Sequence, residues 1–252
     1  LLLSLVFTAT IWLMAKTRPS SVFDRADDSG YDDLSALGVV RKAVPIAFLM
    51  VLVLGGLYGG FLNPTEAGAV GAAGALLIAL LRRSLTPGSF WKLLVETGQI
   101  TVSVLFLIVA ATFFSRMLAL SGVPRELAGF LLDGGLGPWG FLLLYLGLVI
   151  VMGCLIDSIS IMLILLPIAL PVAEAAGFDL IWFGIMTVVA VEIGLLTPPF
   201  GISVYTIRSA LGDQGPSVGE IFRGAGPFVL AMLVSLVILA MAPGISTWLA
   251  YL

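Results

Sequence analysis

Histidine is absent from the 252 residues. That removes imidazole metal ligands, Ser-His-Asp hydrolysis and histidine proton relays. A single cysteine, Cys154, cannot form an intrachain disulfide, so the chain carries no redox framework. Charge is scarce as well: Asp, Glu, Lys and Arg make up 11% of the residues, against roughly 25% in soluble domains. Hydrophobic residues make up 60%, and the mean hydropathy is +1.16. A soluble domain is excluded, and the fold class expected is an all-α polytopic membrane protein. The apolar runs are about 20 residues long and do not alternate, which speaks against a β-barrel. The net charge of −3 says little in such a chain; the placement of the basic residues says more.

Apolar segments fall near 1–15, 44–62, 65–81, 99–120, 138–156, 158–173, 181–212 and 225–250. The opening run, Leu1 to Ala15, is short for a span, and Lys16 and Arg18 follow it rather than precede it. That order does not suit a signal peptide. The run reads as a partial transmembrane helix, and the chain as a fragment of a longer protein. The polar stretch 16–43, with Asp24, Arg25, Asp27, Asp28, Asp32 and Asp33, reads as a solvated linker; the spacing of a calcium loop is missing. If 138–173 enters and leaves on one side, ten of the twelve basic residues share a face and only Arg116 and Arg125 lie near the other. That asymmetry makes the rich side cytoplasmic. The last helix then ends on the opposite side, near Trp248 and Tyr251, which suit an interfacial belt.

Within the apolar segment 181–212 stands Gly194-Leu-Leu-Thr-Pro-Pro-Phe-Gly201. Two consecutive prolines cannot sit inside an undisturbed helix, because each lacks an N–H and clashes with the preceding turn. Broken backbone at membrane depth is tolerated only where it is buried in protein or lines a cavity, and transporters place ion and substrate sites there. A simple kink needs one proline, not Thr-Pro-Pro between glycines. A second polar interruption, Gly153-Cys-Leu-Ile-Asp-Ser-Ile-Ser160, divides 138–173. Its second arm is short, about 22 Å for about 15 residues against a core of about 30 Å. A re-entrant hairpin with its tip at 153–160 is therefore expected. Together the two breaks offer backbone carbonyls and the hydroxyls of Ser158, Ser160 and Thr197. Packed side by side they would form a cation site.

Three acids stand apart. Asp157 at the tip has two readings, a cap on the helix that starts at Ser158 and a direct ion or proton role. Glu192 either pairs with a polar group in the bundle or titrates. Glu66, in Asn63-Pro-Thr-Glu66, reads as N-terminal capping. The small residues Ala67, Gly68, Gly71 and Gly74 have the spacing for close helix contact.

The chain resembles the large membrane subunit of tripartite ATP-independent periplasmic (TRAP) transporters. The resemblance rests on an ordered set: Asn63-Pro-Thr-Glu-Ala-Gly-Ala-Val70, Ala110-Ala-Thr-Phe-Phe114, Gly122-Val-Pro-Arg125, and Gly153-Cys-Leu-Ile-Asp157. Leu165-Leu-Pro-Ile-Ala-Leu-Pro-Val172, Gly177-Phe-Asp179, Phe183-Gly-Ile-Met186, Gly194 to Gly201 and Pro227-Phe228 complete it. It covers nearly everything from residue 60 onward. It implies an inverted-repeat, elevator-type fold, of which this chain is the second repeat. Residues 44–98 would be scaffold helices, 99–212 the transport part with hairpin 138–173 and broken helix 181–212, and 213–252 a C-terminal scaffold helix. The 16–43 stretch would be a cytoplasmic linker.

The resemblance further implies sodium-coupled import of an organic acid (a C4-dicarboxylate, sugar acid or keto acid) across the bacterial inner membrane. The substrate would arrive on a periplasmic binding protein of the DctP type, and a small membrane subunit of the DctQ type would brace the scaffold. Gly153, Gly194, Thr197 and Phe200 would bind sodium. Asp157, Ser158, Ser160, Pro198, Pro199 and Gly201 would lie at the substrate side and hairpin tip. Neither an enzyme activity, a cofactor beyond the coupling ion, a transition metal nor a nucleic-acid partner is implied. One departure is Ala190: many relatives carry Asn four residues before the glycine of this motif, so a polar role there does not carry over. Two other classes fit less well. An intramembrane protease needs paired aspartates or Ser-His, and a purely structural subunit does not need two polar breaks at depth. A related carboxylate permease that works without a binding protein is the nearest alternative.

Overall fold

A computed structural model describes residues 2–17, 36–212 and 215–248. The described residues contain helices and no β-strand. The helices are α1 (Leu2–Thr17), α2 (Ala36–Tyr58), α3 (Pro64–Leu81), α4 (Pro87–Ser121), α5 (Val123–Asp133) and α6 (Gly137–Gly153). They continue with α7 (Ser158–Ala175), α8 (Leu180–Leu195), α9 (Ile202–Leu211), α10 (Val218–Met241) and α11 (Gly244–Thr247). By length and composition, α3, α4, α7 and α10 can each cross a membrane, while α1, α6 and α8 are apolar but shorter. The all-α, polytopic membrane class follows. Asp24, Arg25, Asp27, Asp28, Asp32 and Asp33 of the expected linker, together with Tyr251, lie outside the described residues.

Contacts divide the structure into two compact units, Leu1–Phe23 with Val104–Leu252, and Asp24–Ser103. In the second unit α2 and α3 pack on each other. A capping box starts α3: Glu66 N–H donates to the Asn63 side chain, and the Glu66 carboxylate accepts from Asn63 N–H, both at 2.9 Å. The capping role expected of Glu66 is thus observed, with Asn63 as its partner. A Cβ on Gly71 would lie 3.0 Å from Val53 Cγ2, and one on Gly74 would lie 2.8 Å from Leu49 Cδ2. The small residues do serve close helix contact.

Several boundaries differ from the expectation. Residues 87–98, which lie between the apolar segments 65–81 and 99–120, are the start of α4, a helix of 35 residues. Thr86 Oγ1 accepts from Ser89 N–H, and Lys92 pairs with Glu96 one turn on at 3.7 Å, so local capping and charge spacing extend the helix beyond its most apolar part. Residues 36–43, read as linker, belong to α2. Between α4 and the hairpin the structure adds α5, whose polar residues Arg125 and Glu126 are exposed while Pro124 and Ala128 are buried; Gly122, at φ +74°, makes the turn into it. The C-terminal helix stops at Met241 because Pro243 cannot continue it.

The core of the first unit lies between α6, α7, α8 and α10. α6 and α8 run side by side in the same direction. Trp139 meets Trp182 near their starts at 6.4 Å, and Phe141 stacks on Phe183 at 6.2 Å. Trp182 donates its indole N–H to the Leu239 carbonyl of α10 at 2.8 Å. The C-terminal helix, expected as scaffold, thus packs directly on α8 in the same unit as the hairpin. Ala190, where the resemblance would have Asn, is 0% exposed within this apolar core.

Candidate cation site at two converging helix ends

The hairpin is present, with arms α6 and α7 packed on each other and a turn at residues 154–157. The second arm is not the short one. α7 has 18 residues, about 27 Å, while α6 has 17 and α8 has 16, about 26 and 24 Å. None of the three reaches about 30 Å by itself, and α6 and α8 stop at the same place. The backbones of Gly153 and Gly194 touch. A Cβ on Gly194 would lie 2.6 Å from Gly153 Cα and 2.6 Å from the Ile150 oxygen; a Cβ on Gly153 would lie 2.8 Å from Gly194 Cα and 3.0 Å from the Val191 oxygen. Only glycine permits this approach.

Beyond Gly194 the chain unwinds through Thr197, Pro198, Pro199 and Phe200 before α9 begins. The Pro198–Pro199 peptide is cis. Gly201 turns the chain at φ +55°, a left-handed conformation that suits glycine. Its N–H donates to the Cys154 carbonyl at 3.4 Å, tying the break to the hairpin turn. A Cβ on Gly201 would meet the Phe222 ring of α10 at 2.7 Å, so this turn too is fitted to its neighbour.

The chemistry offered is that of oxygen lone pairs. A helix C-terminus exposes its last carbonyls and carries about half a negative charge. Two such ends meet here. Among the described residues, the carbonyls of Gly153 and Phe200 accept no hydrogen bond, while that of Gly194 accepts from Thr197 N–H at 2.9 Å and from the N–H of Leu196, the residue that caps α8. Thr197 Oγ1 donates to the Ile193 carbonyl at 2.6 Å. Its proton is thereby directed back into α8, leaving lone pairs to act as an acceptor or ligand. Oxygen ligands without a nearby basic group suit a hard cation.

Of the expected residues, the structure brings together Gly153, Gly194, Thr197 and Gly201, with Phe200 and the prolines on the exposed side of the break. Asp157, Ser158 and Ser160 form a separate group. Asp157 caps α7, accepting from Ser160 N–H at 3.0 Å and from Ser160 Oγ at 2.6 Å. Among the described residues, no hydrogen bond joins these three to 194–201. Ser160 instead borders an apolar recess with Leu163, Ile164 and, from α4, Leu107, Ala110, Ala111 and Phe114. Glu192 is exposed, and its carboxylate has no described partner. Sequence reasoning missed the Cys154 carbonyl and Phe222. The first acts through backbone and the second is distant in sequence, so neither leaves a local signal.

Comparison with known proteins gives the family. The family model of the "Tripartite ATP-independent periplasmic transporter, DctM component" matches residues 1–245. The chain is 34% identical over 247 residues to the C4-dicarboxylate TRAP transporter large permease protein DctM of Pseudomonas aeruginosa, covering 98% of this chain and 56% of that protein. It is 33% identical to the sialic acid TRAP transporter large permease protein SiaM of Vibrio cholerae, covering 80% of this chain and 48% of that protein. It is also 33% identical to the ectoine/5-hydroxyectoine TRAP transporter large permease protein UehC of Ruegeria pomeroyi, covering 83% and 49%. The chain spans about half the length of the curated relatives it matches. It belongs to the DctM component family of tripartite ATP-independent periplasmic transporters.

Proposed function

We propose that this chain forms part of the large membrane subunit of a sodium-coupled importer of organic acids in the bacterial inner membrane. The observation that carries the reading is the meeting of the α6 and α8 C-termini at Gly153 and Gly194, with oxygen-rich unwound chain immediately beyond. Gly153, Gly194, Thr197 and Phe200 would hold sodium. The ion would supply the electrochemical gradient that makes uptake favourable; the chain supplies a fixed array of oxygens and the close helix contact that keeps it fixed. Pro198 and Pro199, on the exposed side of the break, would face the substrate with Gly201 as the buried turn behind them, and Asp157, Ser158 and Ser160 would shape the hairpin tip.

Helix length supports a break within the membrane. Trp139, 56% exposed, marks the start of α6 and suits the membrane interface. Gly153 lies about 21 Å along the helix from it, and Gly194 about 18 Å from Trp182, somewhat past the middle of a core of about 30 Å. Both helices then break at that level. Substrate would arrive on a periplasmic DctP-type binding protein, and a small DctQ-type subunit would brace the scaffold while the hairpin-bearing part moves as an elevator. The related proteins named above are described as transporters of a C4-dicarboxylate, sialic acid and an ectoine; for this chain an organic acid is the substrate class proposed.

The test is uptake by the full-length permease and its partner subunits in proteoliposomes, with binding protein loaded with candidate organic acids. Uptake should require both an inward sodium gradient and the binding protein. Uptake indifferent to sodium would overturn the coupling, and uptake without binding protein would favour a permease that captures its substrate directly.

A further inference from the structure

Below the meeting point of α6 and α8, the apolar core holds one polar pair that no helix-end role explains. Thr187 is 1% exposed and Tyr145 is 4% exposed. Their oxygens are 3.1 Å apart. Thr187 Oγ1 also lies 2.8 Å from the Phe183 carbonyl, one turn back, and donates its only proton there. Tyr145 is therefore the donor to Thr187, and the bond crosses from α6 to α8. The Phe183 ring stacks on Tyr145 at 4.8 Å and closes the pair off. Tyr145 stands eight residues before Gly153, and Thr187 seven before Gly194, about 12 and 11 Å along parallel helices. A slide of one helix along the other would break the hydrogen bond and the glycine fit together.

We infer that Tyr145 and Thr187 are positioning residues for the cation site: their hydrogen bond fixes the axial register of α6 against α8 and so holds the Gly153 carbonyl beside the 194–201 break. The inference rests on the cation reading above. Directional bonding is the physical reason for a polar pair here. Phenylalanine and valine would fill the same space with no preference for register, whereas an interhelical hydrogen bond in an apolar medium sets one. The two hydroxyls are not equivalent. Removing that of Tyr145 leaves Thr187 still bonded to Phe183. Removing that of Thr187 strands a buried tyrosine donor.

The experiment measures the sodium concentration for half-maximal uptake by the full-length permease with its partner subunits in proteoliposomes. Tyr145→Phe should raise it about threefold, the strength typical of a membrane interhelical hydrogen bond. Thr187→Val should raise it more, on the order of tenfold. Thr187→Ser keeps the hydroxyl and should stay within about twofold of wild type. Substrate half-saturation at saturating sodium should not move. An unchanged sodium requirement with a lowered maximal rate is what a merely structural pair would give, and it would overturn the inference. So would Thr187→Ser behaving like Thr187→Val. If Thr187→Val does not accumulate, the double variant Tyr145→Phe, Thr187→Val strands no donor and must show the rise; an unshifted double variant also overturns it. Sodium-independent uptake by wild type would remove the cation reading and this inference with it, whereas a sodium-dependent wild type with unshifted variants removes this inference alone.

Discussion

Adding one methyl group at Gly194 should force α6 and α8 apart. An alanine Cβ there would lie 2.6 Å from Gly153 Cα, 2.6 Å from the Ile150 oxygen and 2.9 Å from the Gly153 carbonyl carbon. Ordinary contacts of this kind sit at about 3.5–4.0 Å, so the shortfall is about 1 Å. The obstructing atoms are backbone of a packed helix, which no rotamer change can move aside. Glycine to alanine inside a helix normally stabilises by about 0.5–1 kcal/mol, and overpacking costs about 1–3 kcal/mol. The upper end applies against backbone, leaving a net loss of about 2–2.5 kcal/mol, or a fall in Tm of about 4–10 °C. Gly184 in the same helix is the control: nothing lies within 4 Å of a Cβ built there, so Gly184→Ala should be neutral or stabilise by up to about 1 kcal/mol. Thermal unfolding of the purified full-length permease reads the first effect, and sodium half-saturation of uptake reads the displacement of the Gly153 carbonyl. Gly194→Ala matching Gly184→Ala in both measurements would refute the junction.

Two further substitutions separate structural from transport roles. Asp157→Asn keeps an oxygen for Ser160 N–H, so uptake should stay within about twofold of wild type, while Asp157→Ala should cost about 1 kcal/mol of stability; lost uptake in a stable Asp157→Asn protein would instead assign the carboxylate charge to transport. Asn63→Ala removes the cap of α3 and should cost about 0.5–2 kcal/mol in thermal unfolding, with sodium half-saturation unchanged; a shift in that value would contradict a purely structural cap.

The parts of the fold most legible in the sequence are those where one chemical rule acts locally. Pro198 and Pro199 cannot continue a helix, and α8 does end at Leu195 with α9 resuming at Ile202. Asp157 before Ser158 is a helix-start signal, and it caps α7. Boundaries set by several weak effects were not legible. The 35 residues of α4 include a polar stretch held helical by capping and an ion pair, and α5 is amphipathic rather than apolar, so a search for apolar runs passes over it. The length argument for the hairpin took the second arm as about 15 residues, whereas α7 runs 18 residues, with Pro167 and Pro171 inside it, and is no shorter than α6. At the site, the two interruptions were visible but their contact was not. Gly153 and Gly194 are 41 residues apart, and nothing local to either shows that their backbones touch. Nor does any local pattern pair Tyr145 with Thr187.

The most direct measurement is the sodium concentration for half-maximal uptake by full-length wild type, Thr197→Ala and Thr197→Ser. The Thr197 hydroxyl donates to Ile193 and turns its lone pairs toward the break. Removing it should raise the sodium requirement on the order of tenfold at unchanged protein level, and serine, which restores the oxygen, should bring it back to within about twofold. An unchanged sodium requirement in Thr197→Ala would contradict a cation site at the converging ends of α6 and α8.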